Sequence, residues 1–586
     1  MFMRPKFIAV LSFLSMCLGY SLFSQADGSY ELMPIEDVRP GMEGEWRTVM
    51  SGTAVETFPL RVIGIAEHFV GPNQPVIICE AIDDKNILSG PVAGMSGSPV
   101  FIEGKLVGAY AYGYTWPKEQ AIIGVTPIHD MLPVFEDKGA DLAATGTVNP
   151  YWKSVEPTSR ERLNDYQTVL QPLPAPLIAS GISDRTLKAF QSELDELGIK
   201  VMTGPGGSAS SELSGEIEAG SAVSAILMRG DFNFGATGTV THVVGDKILA
   251  FGHPFFQWGS VEMPLARAEI LTVVRSMPSS FKLSNMGEMV GRVYQDRLTG
   301  ISAEIGPVSP MTELTISITY PDYEDKEFSA EMFRHPRLSP VVAAMATMEA
   351  LQGSLEYSEE QTLRVKTIVD VVGYDPIEVT DIFAGTGVAT SAAFQQMAIH
   401  QLLSDNTFDP PVIESIRVEI ETRPVTEITY LEAVYLHEEE VQSGGSVNMT
   451  LQMKNHQGDR FNRQVSFVLP EEIRKERVEI LVADAVSADK VEFEGFYTAS
   501  RFEHLLERIV ELKSRDHIYI KLLRRSPGIS FEGQHLAGLP PSTLTLLKNA
   551  KGLKIDKDTT RESGFEMRIP VDSEFRGSAL LPLTVN

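Results

Sequence analysis

Pro99-Val100-Phe101-Ile102-Glu103-Gly104-Lys105-Leu106-Val107-Gly108-Ala109-Tyr110 reads as two β-strands joined by a tight turn. A short apolar run, Glu103-Gly104 at the corner and a second apolar run make a hairpin. Phe58-Pro59-Leu60-Arg61-Val62-Ile63-Gly64-Ile65 is another strand, and turn signals separate short strands from about residue 35 to 135. That spacing, with its glycines, predicts a barrel or sandwich in preference to a helical unit.

Outward from this block the chain changes character several times, as 586 residues are too many for one core. Residues 141–220 read as an insert. Prolines between Pro172 and Pro176 and the Gly/Ser-rich run from Gly204 to Gly215 flank a helix that Ser183 caps and Gly198 ends. A second β-rich block, 221–320, holds Ala236-Thr237-Gly238-Thr239-Val240-Thr241, a turn at Gly245-Asp246, and Ile248-Leu249-Ala250-Phe251. Residues 321–410 predict helices opening at Ser339-Pro340 and at Ser391. Residues 411–475 alternate like an immunoglobulin-type sandwich: Ile413 to Glu421, Val447 to Met453, Val465 to Leu469. Residues 476–586 read as a small α+β region, with Ser500 and Glu503 forming a capping box.

The net charge of −28, with no run of Lys or Arg, excludes a nucleic-acid surface from the expected partners. The first 26 residues read as an export signal: Arg4 and Lys6, an apolar stretch from Phe7 to Phe23, then Ser24-Gln25-Ala26. Cleavage after Ala26 removes two bases and no acid, taking the charge from −28 to −30. An exported protein, periplasmic or extracellular, is expected, with an uncleaved N-terminal anchor as the alternative. No later apolar run reaches the length of a membrane span. Cys17 and Cys79 are the only cysteines, which leaves no internal disulfide or thiolate metal site once the signal is gone. No cofactor or metal spacing is present, and Cys79, after Val76-Ile77-Ile78, reads as a buried thiol.

The chemistry lies in Gly94-Met95-Ser96-Gly97-Ser98-Pro99. Acyl transfer by serine needs an exposed hydroxyl, a base and donors for the oxyanion. Glycines on either side of Met95-Ser96 let the chain fold tightly enough for the amides of Gly94 and Ser96 to form an oxyanion hole. A glycine-rich turn between two strands is the bland alternative.

Gly-x-Ser-Gly-x-Pro before a strand resembles the nucleophile loop of chymotrypsin-like double-barrel peptidases. The longer string from Ala93 to Ala109 is similar to the SpoIVB-type serine peptidases, the stage IV sporulation peptidases and their relatives. Gly238-Thr239-Val240-Thr241 and Leu249-Ala250-Phe251-Gly252-His253-Pro254 match the same family. The resemblance covers roughly 35–135 and 221–310, and implies Ser96 as nucleophile and His253 as base. It implies a double β-barrel assembled from two separated segments, which with the sandwich and the small α+β region read from the residue pattern makes the expected fold mainly β. The activity implied is limited, regulatory cleavage of a protein or peptide substrate, self-cleavage included. In the sporulation enzymes the histidine segment comes first; here Ser96 precedes it, so the halves stand in swapped order. A triad is defined by geometry and not by chain order.

His68 competes with His253 as base. Two acids compete for the third place: Asp296, later in the histidine half, and Asp83, upstream of the serine. A non-catalytic envelope scaffold or peptide-binding protein that keeps the barrel is the other reading, and a surface-binding sandwich is a third.

Overall fold

The computed structural model describes residues 30–113, 121–136, 171–173, 177–204, 213, 215–275, 280–353, 358–406, 408, 411–492, 501–531, 534–536, 539–550 and 555–586. The chain is mainly β and divides into two compact units. The expected signal at 1–26 lies outside the described residues.

The first unit comprises residues up to Gly181 together with Gly198–Pro310. Its strands are β1 (Glu43–Val49), β2 (Val55–Gly71), β3 (Gln74–Ala81), β4 (Val92–Ala93), β5 (Ser98–Ile102), β6 (Lys105–Gly113) and β7 (Ala121–Pro127), with helices α1 (Asp84–Ser89) and α2 (Ile128–Met131). β8 (Gln171–Pro172), β9 (Leu177–Ser180), β10 (Val201–Thr203), β11 (Ala222–Gly230), β12 (Asn233–Val244), β13 (Lys247–Ala250), β14 (Gly259–Val274), β15 (Ser280–Arg297) and β16 (Gly300–Ile305) follow.

These strands close two rings. In the first, β1-β2-β3-β7-β6-β5 returns to β1 through the β1–β5 ladder. Trp46, Leu60, Ile77, Val100, Tyr110 and Val125 fill it. The β5–β6 hairpin turns at Glu103 and Gly104, both with positive φ, the backbone that matches strand twist in a two-residue turn. In the second ring, β12-β13-β16-β15-β14-β11 returns to β12 through the β11–β12 ladder. Closure leaves neither ring a free edge, which suits the alternation of short strands and glycines in both segments.

The second unit contains Ile182–Leu197 and Met311–Asn586. Ser183 does cap a helix, accepting from the Thr186 amide, but the predicted helix is two: α3 (Asp184–Ala189) and α4 (Gln191–Glu196), broken at Phe190. One sheet joins β17 (Met311–Thr319), β18 (Lys326–Phe333), β19 (Glu360–Val371), β20 (Ile377–Thr386) and β21 (Ile413–Arg423). Helices α5 (Leu338–Gln352) and α6 (Val388–Ser404) join through Thr347 Oγ1, which donates to Gln396 Oε1 at 2.9 Å.

The last part of the chain is a two-sheet sandwich. β22 (Ile428–Leu436), β24 (Ser446–Asn455), β25 (Arg460–Val468) and β30 (Glu574–Arg576) form one sheet. The other holds β23 (Glu440–Val441), β26 (Glu476–Ala483), β27 (His517–Phe531), β28 (Gln534–Leu536), β29 (Ile555–Pro570) and β31 (Ser578–Val585). Val447, Met449, Leu451 and Phe467 share one core with Val478, Ile480, Ile520 and Phe575. The expected boundary at 475 therefore runs through a single core. Ile413–Glu421, read as the sandwich's first strand, instead pairs with β17 and β19. The helix near 500 spans Phe502–Val510 and begins at Arg501 without a side-chain cap; Ser500 lies outside the described residues.

Candidate active site

The segment before Ser96 leaves the first ring and joins the second. β4 runs parallel to the start of β15, and Ser280 Oγ donates to Ser89 O at 2.6 Å. The loop then turns through Gly94 (φ +92) and Gly97 (φ +94), a backbone region that favours glycine. Its carbonyls are held by one strand of the second ring: Gly94 O by Thr239 Oγ1 at 3.1 Å, Ser96 O by the Thr239 amide at 2.9 Å and Gly97 O by Thr241 Oγ1 at 2.7 Å. On the other side the Gly97 amide donates to Tyr110 O at 2.9 Å. The Ser96 amide donates to no described residue. It is thus a loop donor left over for a ligand oxygen.

The His253 segment is built in the mirror sense, on the second ring but anchored to the first. Phe251 (φ 72) and Gly252 (φ 71) are both left-handed. For a bulky residue such as Phe251 this strain costs about 1–3 kcal/mol, and it persists only where surrounding contacts enforce it. Those contacts are the Thr126 hydroxyl, which donates to Gly252 O at 2.6 Å, and the Phe251 amide, which donates to Thr239 O at 3.3 Å. A Cβ on Gly252 would lie 2.8 Å from Ala109 Cβ, so the turn presses directly on β6.

Ser96 and His253 are 0% and 3% exposed. Ser96 Oγ and His253 Nε2 are both buried without a hydrogen-bond partner, and the two are not bonded to each other. His253 Nδ1 lies 2.8 Å from Pro254 O. A carbonyl oxygen can only accept, so Nδ1 carries the hydrogen and the neutral ring presents a lone pair at Nε2. Burial pushes the imidazole down to about 4, which keeps it neutral at physiological pH.

Neither expected acid reaches this imidazole. Asp296 is buried, but Oδ1 accepts the Phe255 amide at 2.8 Å and Oδ2 the amides of Phe256 and Trp258 at 2.8 and 3.3 Å. It braces the turn that follows His253. Asp83 caps α1 through the Asn86 amide at 2.9 Å. His68 is exposed on β2, where Nδ1 accepts the Asn73 amide. Cys79 is buried, with its thiol pushed up to about 12. Asp296→Asn would set an NH2 group against amide donors; a loss of at least about 2 kcal/mol in stability is expected from urea unfolding.

A cleft of about 550 Å³ lies beside the turn, lined by Val134, Gln257, Asp296, Arg297, Leu298 and Thr299 among others; it includes neither Ser96 nor His253. Among the described residues no cluster of His, Cys, Asp or Glu could hold a metal, and no helix is long and apolar enough to cross a membrane. No protein-family model, curated protein or solved structure matches the chain.

The sequence reading missed the clamps, Thr126, Thr239 and Thr241 as hydrogen-bonding groups, and it missed Lys282. In Ser280-Phe281-Lys282-Leu283-Ser284 the polar residues are the buried ones, the reverse of an ordinary half-buried strand, so alternation gave no signal for Lys282.

Proposed function

We propose that the chain is an exported serine endopeptidase of the SpoIVB type, with Ser96 as nucleophile, His253 as base, and limited, regulatory cleavage as its activity. One observation carries the reading: each loop is clamped onto the ring that supplies the other, and the loops end in an unpartnered hydroxyl and an unpartnered imidazole nitrogen. Two closed six-stranded rings, one contributing serine and one histidine, support a chymotrypsin-like double barrel in swapped order. Export rests on the N-terminal sequence, and regulatory cleavage on the resemblance.

In this mechanism His253 Nε2 takes the Ser96 proton as Oγ attacks the peptide carbonyl. The amides of Ser96 and Gly94 receive the oxyanion, and the imidazolium returns its proton to the leaving amine. Water then repeats the cycle on the acyl-enzyme. Pro254 O holds Nδ1–H where an aspartate usually does. Because Ser96 is wholly buried, the chain around it must shift before a substrate enters.

The same closure, with no bond between Ser96 and His253, favours the second reading, a peptide-binding scaffold. Incubating the full chain with an unfolded protein and analysing fragments by mass spectrometry separates the two. The peptidase reading expects cleavage that Ser96→Ala abolishes; equal fragment patterns from both proteins, or none from either, leave the scaffold.

The pH dependence is a further expectation. His253 titrates near 4, so hydrolysis should stay level from pH 7 to about 5 and decline only below that. A decline centred near 6.5 would contradict the buried base. Unfolded histidine titrates near 6.5, so the unfolded chain binds more protons than the native one between about 6.5 and 4. Stability should therefore fall as pH drops through that window, with His335, also pushed down to about 4 by burial, adding to the effect.

A further inference from the structure

Lys282 is wholly buried, yet its hydrogen-bond partners among the described residues are two hydroxyls: Nζ donates to Thr48 Oγ1 at 2.7 Å and to Thr239 Oγ1 at 3.4 Å. Thr48 belongs to β1 of the first ring; Thr239 and Lys282 belong to β12 and β15 of the second. The lysine stem lies under the serine loop, since a Cβ on Gly94 would meet its Cβ, Cγ and Cδ at 3.2–3.4 Å. The faces turned to it from β1, β4, β12 and β14 present Thr48, Val92–Gly94, Thr239 and Val273, with no charged group among them. Burial alone accounts for the amine being pushed down to about 7. An ammonium without a carboxylate is an expensive way to fill a protein interior. A role beyond packing would explain why one stands here.

We propose that Lys282 is a positioning residue for Ser96, acting through Thr239 to fix the Gly94–Met95 peptide. The inference rests on the peptidase reading for its catalytic consequence, though not for its structural one. The ammonium has only hydrogens to offer. Thr239 Oγ1 can therefore only accept from Nζ, which leaves its own hydrogen for Gly94 O, 3.1 Å away, with Thr48 Oγ1 at 3.5 Å as the more distant competitor. The same threonine's amide holds Ser96 O. Lys282 donates to Thr239, and Thr239 donates to the carbonyls of residues 94 and 96, so one hydrogen-bonded chain ends on the backbone that carries the nucleophile. A neutral amine has a lone pair and competes for the Thr239 hydrogen. Above about pH 7 the hold on Gly94 O should slacken.

The test uses the full chain and the variants Lys282→Met, Thr239→Val and Thr239→Ser. Three readouts are followed from pH 5 to 9: melting temperature, the rate of fluorophosphonate attachment to Ser96, and hydrogen exchange of the peptide covering 92–100 corrected for intrinsic rates. In the parent, attachment should decline severalfold above about pH 7 as exchange across 92–100 rises. Lys282→Met should be at least tenfold slower at pH 6 and lose that limb, and Thr239→Val should match it. Thr239→Ser should keep rate and profile, and Lys282→Met with Thr239→Val should be no worse than either alone. The melting temperature of Lys282→Met should hold or rise at pH 6, because methionine removes a buried cation. The sign follows from linkage: the unfolded ammonium keeps its proton to about pH 10, so the native state is at its greatest disadvantage below about 7. Unchanged attachment and exchange in Lys282→Met, or losses that merely track a lowered melting temperature, would overturn the proposal. If the parent attaches no probe, the peptidase reading fails and the exchange data alone decide the role of Lys282.

Discussion

Hydrolysis of a peptide substrate by His253→Ala is expected to be slower in kcat by about 10⁴- to 10⁶-fold, with KM little changed. The substitution removes a buried, unpartnered Nε2 lone pair, the one this mechanism assigns to the Ser96 proton. His242 is buried too, but its ring lies against Phe135, 6.4 Å between centroids. Because His253 makes its one hydrogen bond to the neighbouring carbonyl, its loss leaves the clamps from Thr126 and Thr239 in place. The variant should fold, and a large kinetic effect beside a small change in melting temperature is the expected signature. A rate within tenfold of the parent would remove His253 from the chemistry.

The largest structural effect is expected from Gly97→Ala. A Cβ at this position would stand 2.0 Å from Thr239 O and 2.4 Å from the Phe251 amide nitrogen. Both are backbone atoms of the second ring, so no side chain can rotate away. The φ of +94 adds strain for any residue with a side chain. Relief requires the serine loop to leave β12, breaking the bonds from Thr239 and Thr241 together. A loss of about 4 kcal/mol or more is expected, in the range reserved for specific mechanisms of this kind. Urea unfolding measures it directly. Gly104→Ala, at a surface turn where a Cβ meets nothing within 4 Å, is the control and should cost only the φ strain, about 1–2 kcal/mol.

The local signals in the sequence were the reliable ones. The β5–β6 hairpin, the Gly245-Asp246 turn and the α5 helix follow from nearby residues, because turn chemistry and apolar runs act over a few positions. What failed depended on distant partners. Ile413–Arg423 alternates as a sandwich strand would, but alternation names a half-buried strand and not the sheet that receives it. The cut at 475 failed for the same reason: β22 pairs with β30 and β23 with β31, partners that lie far along the chain on the other side of the cut.

The site divides along the same line. Gly94, Ser96, Gly97 and the Gly252-His253 pair could be picked out because glycine spacing records a tight backbone. Asp296 could also be picked out, but spacing cannot tell a carboxylate that braces amides from one that orients an imidazole. The orienting group is a backbone oxygen, that of Pro254, and every residue carries one. Lys282 stayed hidden because a lysine in an alternating strand is ordinarily assigned to the solvent face.

The most direct measurement is to treat the full chain, Ser96→Ala and His253→Ala with a fluorophosphonate at pH 7 and map the adduct by peptide mass spectrometry. A single adduct on Ser96 in the parent, absent from both variants, is the predicted result. An adduct on another residue, one that survives in His253→Ala, or none in a parent shown to be folded would contradict an activated Ser96–His253 pair.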